Sequence, residues 1–228
     1  MPGDKNIVDI LYKNMPHYHP VVPFDKSKEK TARFDLSKTN LKFTSEVYND
    51  MQLFEAFINE QRSIADAKYL VGGYKELRQM YLRSTLFDAN EEPRSLHLGV
   101  DIWGDAGTKI CTPLGGTVHS FNFNNNFGDY GATIILQHQL ETLNFYLLYG
   151  HLSLKDIEKI RKGQFITRGQ EFAHFGLPSE NGNWPPHLHF QLILDMGILE
   201  GDYPGVCKLS EAEKFLKNSP DPAVLLNI

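Results

Sequence analysis

The sequence has few cysteines and no excess of positive charge. Its two cysteines, Cys111 and Cys207, are too far apart in the chain to form a C-x-x-C pair. Lysine and arginine together number 23 against 28 aspartates and glutamates, which gives a formal net charge of −5. Such a chain lacks the basic surface that nucleic-acid-binding proteins use. We therefore expect reduced thiols and no nucleic-acid partner.

Long apolar runs are also missing. The first twenty residues have neither the apolar core nor the small-residue cleavage site of a signal peptide. No stretch elsewhere approaches the roughly 20 apolar residues that cross a bilayer. These features predict a protein without membrane insertion. It is expected to be cytoplasmic as the sequence stands, or periplasmic or extracellular if a leader has been removed; the oligomeric state is left open.

The 228 residues change character near residue 90. Residues 1–43 are rich in Pro, Lys and Asp and show weak periodicity, which is typical of extended chain packed on a surface. From about Ser45 to Ala67 apolar residues recur at helical spacing, and Gly72-Gly73 would end the helix soon after. We therefore predict an N-terminal accessory segment, residues 1–90, and a second domain, residues 91–228.

Residues after 96 are dominated by short β-rich runs between Gly, Pro and Asn. The spacing predicts an antiparallel sheet system rather than βαβ units. Two S-x-x-[DE] sequences, at Ser153 and Ser210, predict short capped helices between strands. The predicted strands are Gly116–Phe121, Thr133–His138, Leu143–Tyr149, Gln164–Thr167, Glu171–Phe175 and His187–Leu194.

The run HLHFQLIL, residues 187–194, predicts a strand with two imidazoles on one face. Alternation places His187, His189 and Gln191 on the same side, above an apolar opposite face. This arrangement is typical of a metal site built on a sheet. Either histidine can be a ligand, with the other beside the reacting atoms.

The run HLGVDIW places His97 four residues before Asp101. On a straight strand the two would stand roughly 13 Å apart, too far for one ion with ligand bonds near 2 Å. Gly99 is expected to bend the chain so that the two side chains converge. His151 ends a β run in YLLYGHLS, a position where a catalytic base is often displayed.

Each of these histidines alone is more often a structural or surface residue than a ligand. Four histidines and an aspartate at strand edges or on polar faces favour a shared site. The histidines at 119, 138 and 174 lack partners at useful spacing and are interpreted as structural. His17 and His19 are interpreted as surface residues; the alternative is an arm that reaches the metal and blocks it.

The order of the motifs resembles that of the lysostaphin-type zinc metallopeptidases, which include the LytM-like peptidoglycan endopeptidases. HLGVD, YGHLS and HLHF follow one another like the family's H-x-x-x-D, lone His and H-x-H. The segments GTKICTPLGGTVHSF and RKGQFITRGQEFAHFG also resemble family sequence. The resemblance covers roughly residues 94–195. The loop LPSENGNWPP is longer than usual and is expected to shape one wall of a substrate groove with Trp184.

The resemblance implies one Zn²⁺ per chain, bound by His97, Asp101 and His189. His151 and His187 would flank the reacting carbonyl, one as base and one as stabiliser of the oxyanion. The implied fold is mainly β: a compact antiparallel β-sheet or barrel-sandwich domain, like a duplicated hybrid motif, behind an N-terminal extension that contains a helix. The implied activity is metalloendopeptidase action on a peptide or peptidoglycan-derived substrate.

Two other functions are considered. A catalytically silent adaptor of the same fold would bind cell-wall enzymes, but all ligand positions are filled here. A histidine phosphocarrier of a sugar system carries a similar H-x-G-x-D string, but the later H-x-H strand argues against it.

Overall fold

The computed structural model describes residues 7–87 and 92–228; the predicted boundary near residue 90 falls outside them and stays a prediction. Within these residues no helix has both the length and the apolar character needed to cross a membrane. The helices are α1 (Ile7–Asn14), α2 (Ser45–Asn49), α3 (Met51–Ile64), α4 (Leu154–Ile157) and α5 (Ala212–Asn218). The strands are β1 (Thr31–Arg33), β2 (Tyr69–Gly72), β3 (Leu96–His97), β4 (Val100–Trp103), β5 (Lys109–Cys111), β6 (Gly116–Asn124), β7 (Gly131–Leu140), β8 (Leu143–Leu152), β9 (Phe165–Ile166), β10 (Glu171–His174), β11 (His187–Ile193) and β12 (Val206–Cys207).

A large mixed sheet organises the described part of the chain. Its strand order is β1-β2-β4-β11-β8-β7-β6-β9. The neighbours are antiparallel except for β1 and β2, which are parallel. Strands β5 and β10, and β3 and β12, form two smaller antiparallel pairs. The prediction of a mainly β fold with a helix-containing N-terminal extension is confirmed, although the sheet is not purely antiparallel.

The predicted N-terminal helix forms, but it is divided at Asp50. The Asp50 carboxylate accepts hydrogen bonds from the backbone N–H groups of Gln52 and Leu53 at 2.8 and 3.0 Å. It therefore caps α3 and separates it from α2. The helix ends at Ile64, before Gly72-Gly73, because the chain turns into β2 first.

The expectation of extended surface chain over residues 1–43 is wrong in part. Helix α1 buries Ile10 and Leu11, and Val21 and Val22 are completely buried. Ile7, Ile10 and Leu11 do lie at helical spacing, but α1 has only eight residues, which is shorter than the window over which a helical period can be recognised.

Strand β2, which the pattern did not predict, carries the N-terminal segment into the large sheet. Its residues Leu70 and Gly72 pair with Trp103 and Asp101 of β4. Four residues, YLVG, are too short a run to distinguish a strand from a loop. An aromatic cluster packs beside it, and its members include Phe34, Phe54, Phe57, Trp103 and Trp184.

Helices α4 and α5 lie where the two S-x-x-[DE] sequences predicted helices, and Ser153 occupies the N-cap position of α4, but neither serine hydroxyl accepts a capping hydrogen bond from a helix N–H. The Ser153 hydroxyl donates to Glu180, 3.1 Å away, and the Ser210 hydroxyl donates to Glu92. A 3₁₀ turn, Leu209–Glu211, precedes α5. The predicted hydroxyl caps therefore do not form, because carboxylates from distant segments compete for the hydroxyls.

Strand β11 lies between β4 and β8, at the centre of the sheet. His189 pairs with Asp101 on one side and with Gly150 on the other, and His187 pairs with Trp103. Every residue of β11 is buried. This register brings the three sequence motifs of the candidate site to one place.

Candidate metal centre and its neighbouring histidines

His97, Asp101 and His189 form a buried cluster whose ligand-type atoms all lie within 4.8 Å of one another. His97 Nε2 lies 2.9 Å from His189 Nδ1. Asp101 Oδ1 lies 3.3 Å from His97 Nε2 and 3.2 Å from His189 Nδ1. The three side chains therefore present two nitrogens and one oxygen to a common point.

Gly99 makes this convergence possible in two ways. The chain leaves strand geometry between β3 and β4, so His97 and Asp101 are not separated by the full length of a straight strand. A Cβ atom at Gly99 would lie 2.6 Å from the ring of His189. The absence of a side chain there therefore leaves room for the third member of the cluster as well.

The remaining ring nitrogens fix which atoms can bind a cation. A backbone carbonyl only accepts, so His97 Nδ1 must donate to the oxygen of Gly73, 2.8 Å away. His189 Nε2 donates to Gln191 Oε1 at 2.9 Å, while the Gln191 amide nitrogen donates to the oxygen of Pro204. His97 Nε2 and His189 Nδ1 therefore keep their lone pairs.

Two lone pairs that face each other at 2.9 Å repel unless a proton or a cation lies between them. Burial lowers the pKa of His97 to about 4, so that ring is neutral near pH 7. Two imidazole nitrogens and a carboxylate oxygen are the ligands that zinc prefers. The donor set of this cluster therefore fits a zinc ion.

Asp101 is a carboxylate whose second oxygen is already occupied. Burial alone would raise its pKa, but the neighbouring His97 and Arg78 together hold the pKa well below its usual range. Arg78 Nη1 donates to Asp101 Oδ2 at 2.6 Å. Only Oδ1 is left to face the two imidazoles.

His151 and His187 lie beside the cluster, with their ring centroids 4.1 Å apart. Their Nδ1 atoms donate to backbone oxygens, of Asn181 at 2.8 Å and of Pro185 at 2.7 Å respectively. Each ring therefore keeps its lone pair on Nε2. Burial lowers the pKa of His187 to about 4, and burial together with the neighbouring His187 holds the pKa of His151 well below its usual range. Both rings are in the form that accepts a proton.

Each of these two rings is also restrained. His151 has a φ of 63°, a left-handed backbone conformation that costs a non-glycine residue about 1–3 kcal/mol. Its backbone N–H donates to the oxygen of Tyr130, which helps to hold that conformation. His187 stacks on the indole of Trp103 at a centroid distance of 3.9 Å. Strain and stacking of this kind are typical of functional positions.

The cluster opens onto a cavity of about 120 Å³ whose walls include residues that the sequence pattern did not single out. Tyr130 is buried with its hydroxyl 3.4 Å from His189 Nε2, and Tyr81 stacks near His97. Arg78 is a third such residue. These residues belong to no motif, so the sequence pattern could not identify them as part of the site. Trp184 lines the cavity, as expected for its loop.

The other histidines lie elsewhere. His17 and His19 are exposed and contact the turn at Arg168 and Gly169, outside the cluster and the cavity lining. His119, His138 and His174 take part in local contacts with Ser120, Gly115 and Asp156 respectively.

Part of this chain is similar to known proteins. Residues 95–198 match the family described as Peptidase family M23. The chain is 28% identical over 139 residues to the L-Ala--D-Glu endopeptidase of Bacillus subtilis; the match covers 58% of this chain and 40% of that protein. The chain thus spans less than half the length of this curated relative.

Two solved structures are similar in part. A zinc containing peptidase from Vibrio cholerae is 26% identical over 43% of this chain and 27% of its own, with a TM-score of 0.35. The catalytic domain of lysostaphin from Staphylococcus simulans is 19% identical over 72% of this chain and 98% of its own, with a TM-score of 0.40. Residues 95–198, which carry the motifs, thus match peptidase family M23, in line with the resemblance of the motif order to the lysostaphin-type, LytM-like family.

Proposed function

We propose that this protein is a zinc metalloendopeptidase that hydrolyses a peptide bond in peptidoglycan-type peptides. The observation that carries the proposal is the convergence of His97 Nε2, Asp101 Oδ1 and His189 Nδ1 on one point, with two neutral histidines beside it. The match of residues 95–198 to a peptidase family, and a relative named as an L-Ala--D-Glu endopeptidase, support the same reaction and substrate class.

One zinc ion per chain would be held by His97, Asp101 and His189. Three protein ligands are the usual set of a catalytic site, whereas structural zinc sites use four. Bound there, zinc would lower the pKa of a water to about 7 and polarise the scissile carbonyl.

The chain's own contribution to proton transfer would come from His151 and His187. Both Nε2 atoms begin as acceptors, so either ring can take the proton from the attacking water. A ring that has gained this proton becomes a donor, and it can then stabilise the developing oxyanion or protonate the leaving amine. The positive charge of one ring lowers the pKa of the other, so the pair favours a single added proton.

The cleaved bond is identified by incubating the zinc-loaded protein with a panel of muropeptides and with ordinary L-peptides. We expect cleavage of one bond type, loss of cleavage with a chelator and its return with zinc, with products read by mass spectrometry. A metal-loaded protein that leaves every muropeptide intact would contradict the proposal and favour the adaptor.

The phosphocarrier alternative has no support in the geometry. His97 is only 1% exposed; its Nδ1 donates to Gly73, and its Nε2 points into the buried cluster toward His189. A donor protein could not reach this ring to phosphorylate it.

A further inference from the structure

Arg78 is a fully buried arginine that lies between two carboxylates. Its side chain is 1% exposed. Nε donates to Glu76 Oε2 at 2.6 Å, and Nη1 donates to Asp101 Oδ2 at 2.6 Å and to the Tyr81 hydroxyl at 3.2 Å. The guanidinium is therefore fixed at both ends rather than free to reorient.

The hydrogen bond from Arg78 gives the two carboxylate oxygens of Asp101 different partners. Oδ2 is held by a charge-assisted hydrogen bond to Arg78, while Oδ1 faces His97 Nε2 and His189 Nδ1. A carboxylate without such a partner can turn to offer both oxygens to a cation. Asp101 is held so that it offers one.

The segment that carries Arg78 supports a second member of the cluster as well. The oxygen of Gly73 accepts the hydrogen bond that fixes the tautomer of His97. A Cβ atom at Gly73 would lie 2.1 Å from Arg78 Nη2, so the backbone passes directly against the guanidinium. Residues 73–81 lie before the region that matches the family, and yet they contact two of the three candidate ligands.

Glu76 balances the positive charge of the Arg78 guanidinium, which lies close to the candidate metal site. Its carboxylate is partly buried and pairs with Arg78, so the charge of the guanidinium is balanced on the side away from Asp101. The group of Glu76, Arg78 and Asp101 keeps a net charge of −1, which still attracts a divalent ion.

We propose that Arg78 is a positioning residue that restricts Asp101 to one-oxygen coordination of the metal and so keeps one coordination position available for the reaction. This inference rests on the proposed function. Arg78 acts through Asp101 and contacts neither the cation nor the substrate. Outer partners of this kind typically contribute 10–100-fold to metal affinity or activity.

The test uses the full chain loaded with Co²⁺, whose visible absorption weakens as its coordination number rises above four. We expect a strong four-coordinate spectrum for the native protein and a weaker one for Arg78→Gln, because Asp101 then supplies its second oxygen. Zn²⁺ affinity, measured by competition with a chelator, should fall about 10–100-fold in this variant. Arg62→Gln, which removes an arginine paired with Asp105, is the matched control and should match the native protein in both measurements.

Two further variants separate positioning from general stability. Arg78→Lys keeps the charge that balances Glu76 but cannot hold both carboxylates, so it should change the spectrum in the same direction; it also decides the question if Arg78→Gln does not fold. In an Asp101→Asn background, Arg78→Gln should change the affinity no further, because the effect passes through Asp101.

The inference would be overturned if a folded Arg78 variant kept the native Co²⁺ spectrum and bound Zn²⁺ with an affinity that is tighter than native or within about two-fold of it. Such a change is far below the 10–100-fold contribution expected of an outer partner. The proposed function would remain intact. A native protein that binds neither Co²⁺ nor Zn²⁺ would overturn both.

Discussion

The four histidines of the candidate site differ in which ring nitrogen donates a hydrogen bond and which keeps its lone pair. His97, His151 and His187 all donate through Nδ1 to backbone oxygens and present Nε2. His189 donates through Nε2 to Gln191, two residues along the same strand face, and presents Nδ1. Three of the four tautomers are therefore set by hydrogen bonds to backbone oxygens. Substitutions of nearby side chains cannot easily remove these hydrogen bonds.

Replacing His151 separates catalysis from metal binding. His151→Ala removes a proton acceptor but no candidate ligand, so we expect unchanged zinc affinity and a loss of about 10²-fold or more in kcat. Steady-state kinetics and a zinc competition assay measure the two quantities. His119→Ala, on β6 and outside the cavity lining, is the control. Full activity of His151→Ala would remove this residue from the mechanism.

At the scale of elements, the loop before β11 is fastened to the N-terminal segment by Arg83. Its Nη1 donates to the oxygen of Tyr48 at 2.7 Å, and its Nη2 donates to the oxygen of Asn183 at 2.6 Å. The guanidinium also lies 4.2 Å from the ring of Trp184. This loop supplies the carbonyl oxygens that orient His151 and His187.

Weakening the Arg83 contact should therefore slow the reaction without removing the metal. Lysine cannot bridge both carbonyl oxygens, so Arg83→Lys should lower kcat roughly 10-fold, since small displacements of catalytic groups have large effects on rate. Zinc affinity should stay native because no candidate ligand lies in the loop. Arg62→Lys controls for the loss of a guanidinium. Equal kcat values for the two variants would show that the loop does not depend on Arg83.

The elements that the sequence predicted well are those with a strong period or a motif. The six strands from β6 to β11 lie close to their predicted ranges because their apolar residues alternate and, except between β7 and β8, the intervening segments contain Gly, Pro or Asn. The convergence of His97 and Asp101 was predictable because Gly99 lies between them. β2 and Arg78 were not, because a four-residue strand and a single buried arginine acquire their roles only through partners distant in the chain.

At the scale of the whole molecule, the N-terminal segment and the matched domain share one sheet. Asp101 and Trp103 lie on the same face of β4, and Trp103 belongs to the aromatic cluster built with Phe34 and Phe54. Val100 and Ile102 lie on the opposite face, in the larger apolar core. Phe34 and Phe54 therefore pack on the face that carries the candidate site, whereas Leu11, Val21 and Val22 of the N-terminal segment pack in the core on the opposite face.

The stability of the whole molecule should depend on pH through a histidine outside the site. His138 is 1% exposed, its Nε2 has no hydrogen-bond partner among the described residues, and burial lowers its pKa to about 4. Below its ordinary pKa of about 6.5 the unfolded chain binds a proton that the folded chain does not, so stability is complete above that pH and is lost as the pH falls toward 4.

The expected loss attributable to His138 is about 2 kcal/mol between about pH 7 and about pH 5. His138→Gln keeps a group that can hydrogen-bond to Gly115 but does not titrate. Urea unfolding of both proteins at the two pH values gives the difference directly. A native protein and a His138→Gln variant that lose equal stability would show that His138 does not titrate on unfolding.

The central claim is that His97, Asp101 and His189 bind one zinc ion, and X-ray data collected on both sides of the zinc absorption edge test it most directly. We predict one anomalous peak per chain, about 2 Å from His97 Nε2, Asp101 Oδ1 and His189 Nδ1. Crystals grown with zinc that show no peak at this cluster, or a zinc ion bound only at other residues, would contradict the account.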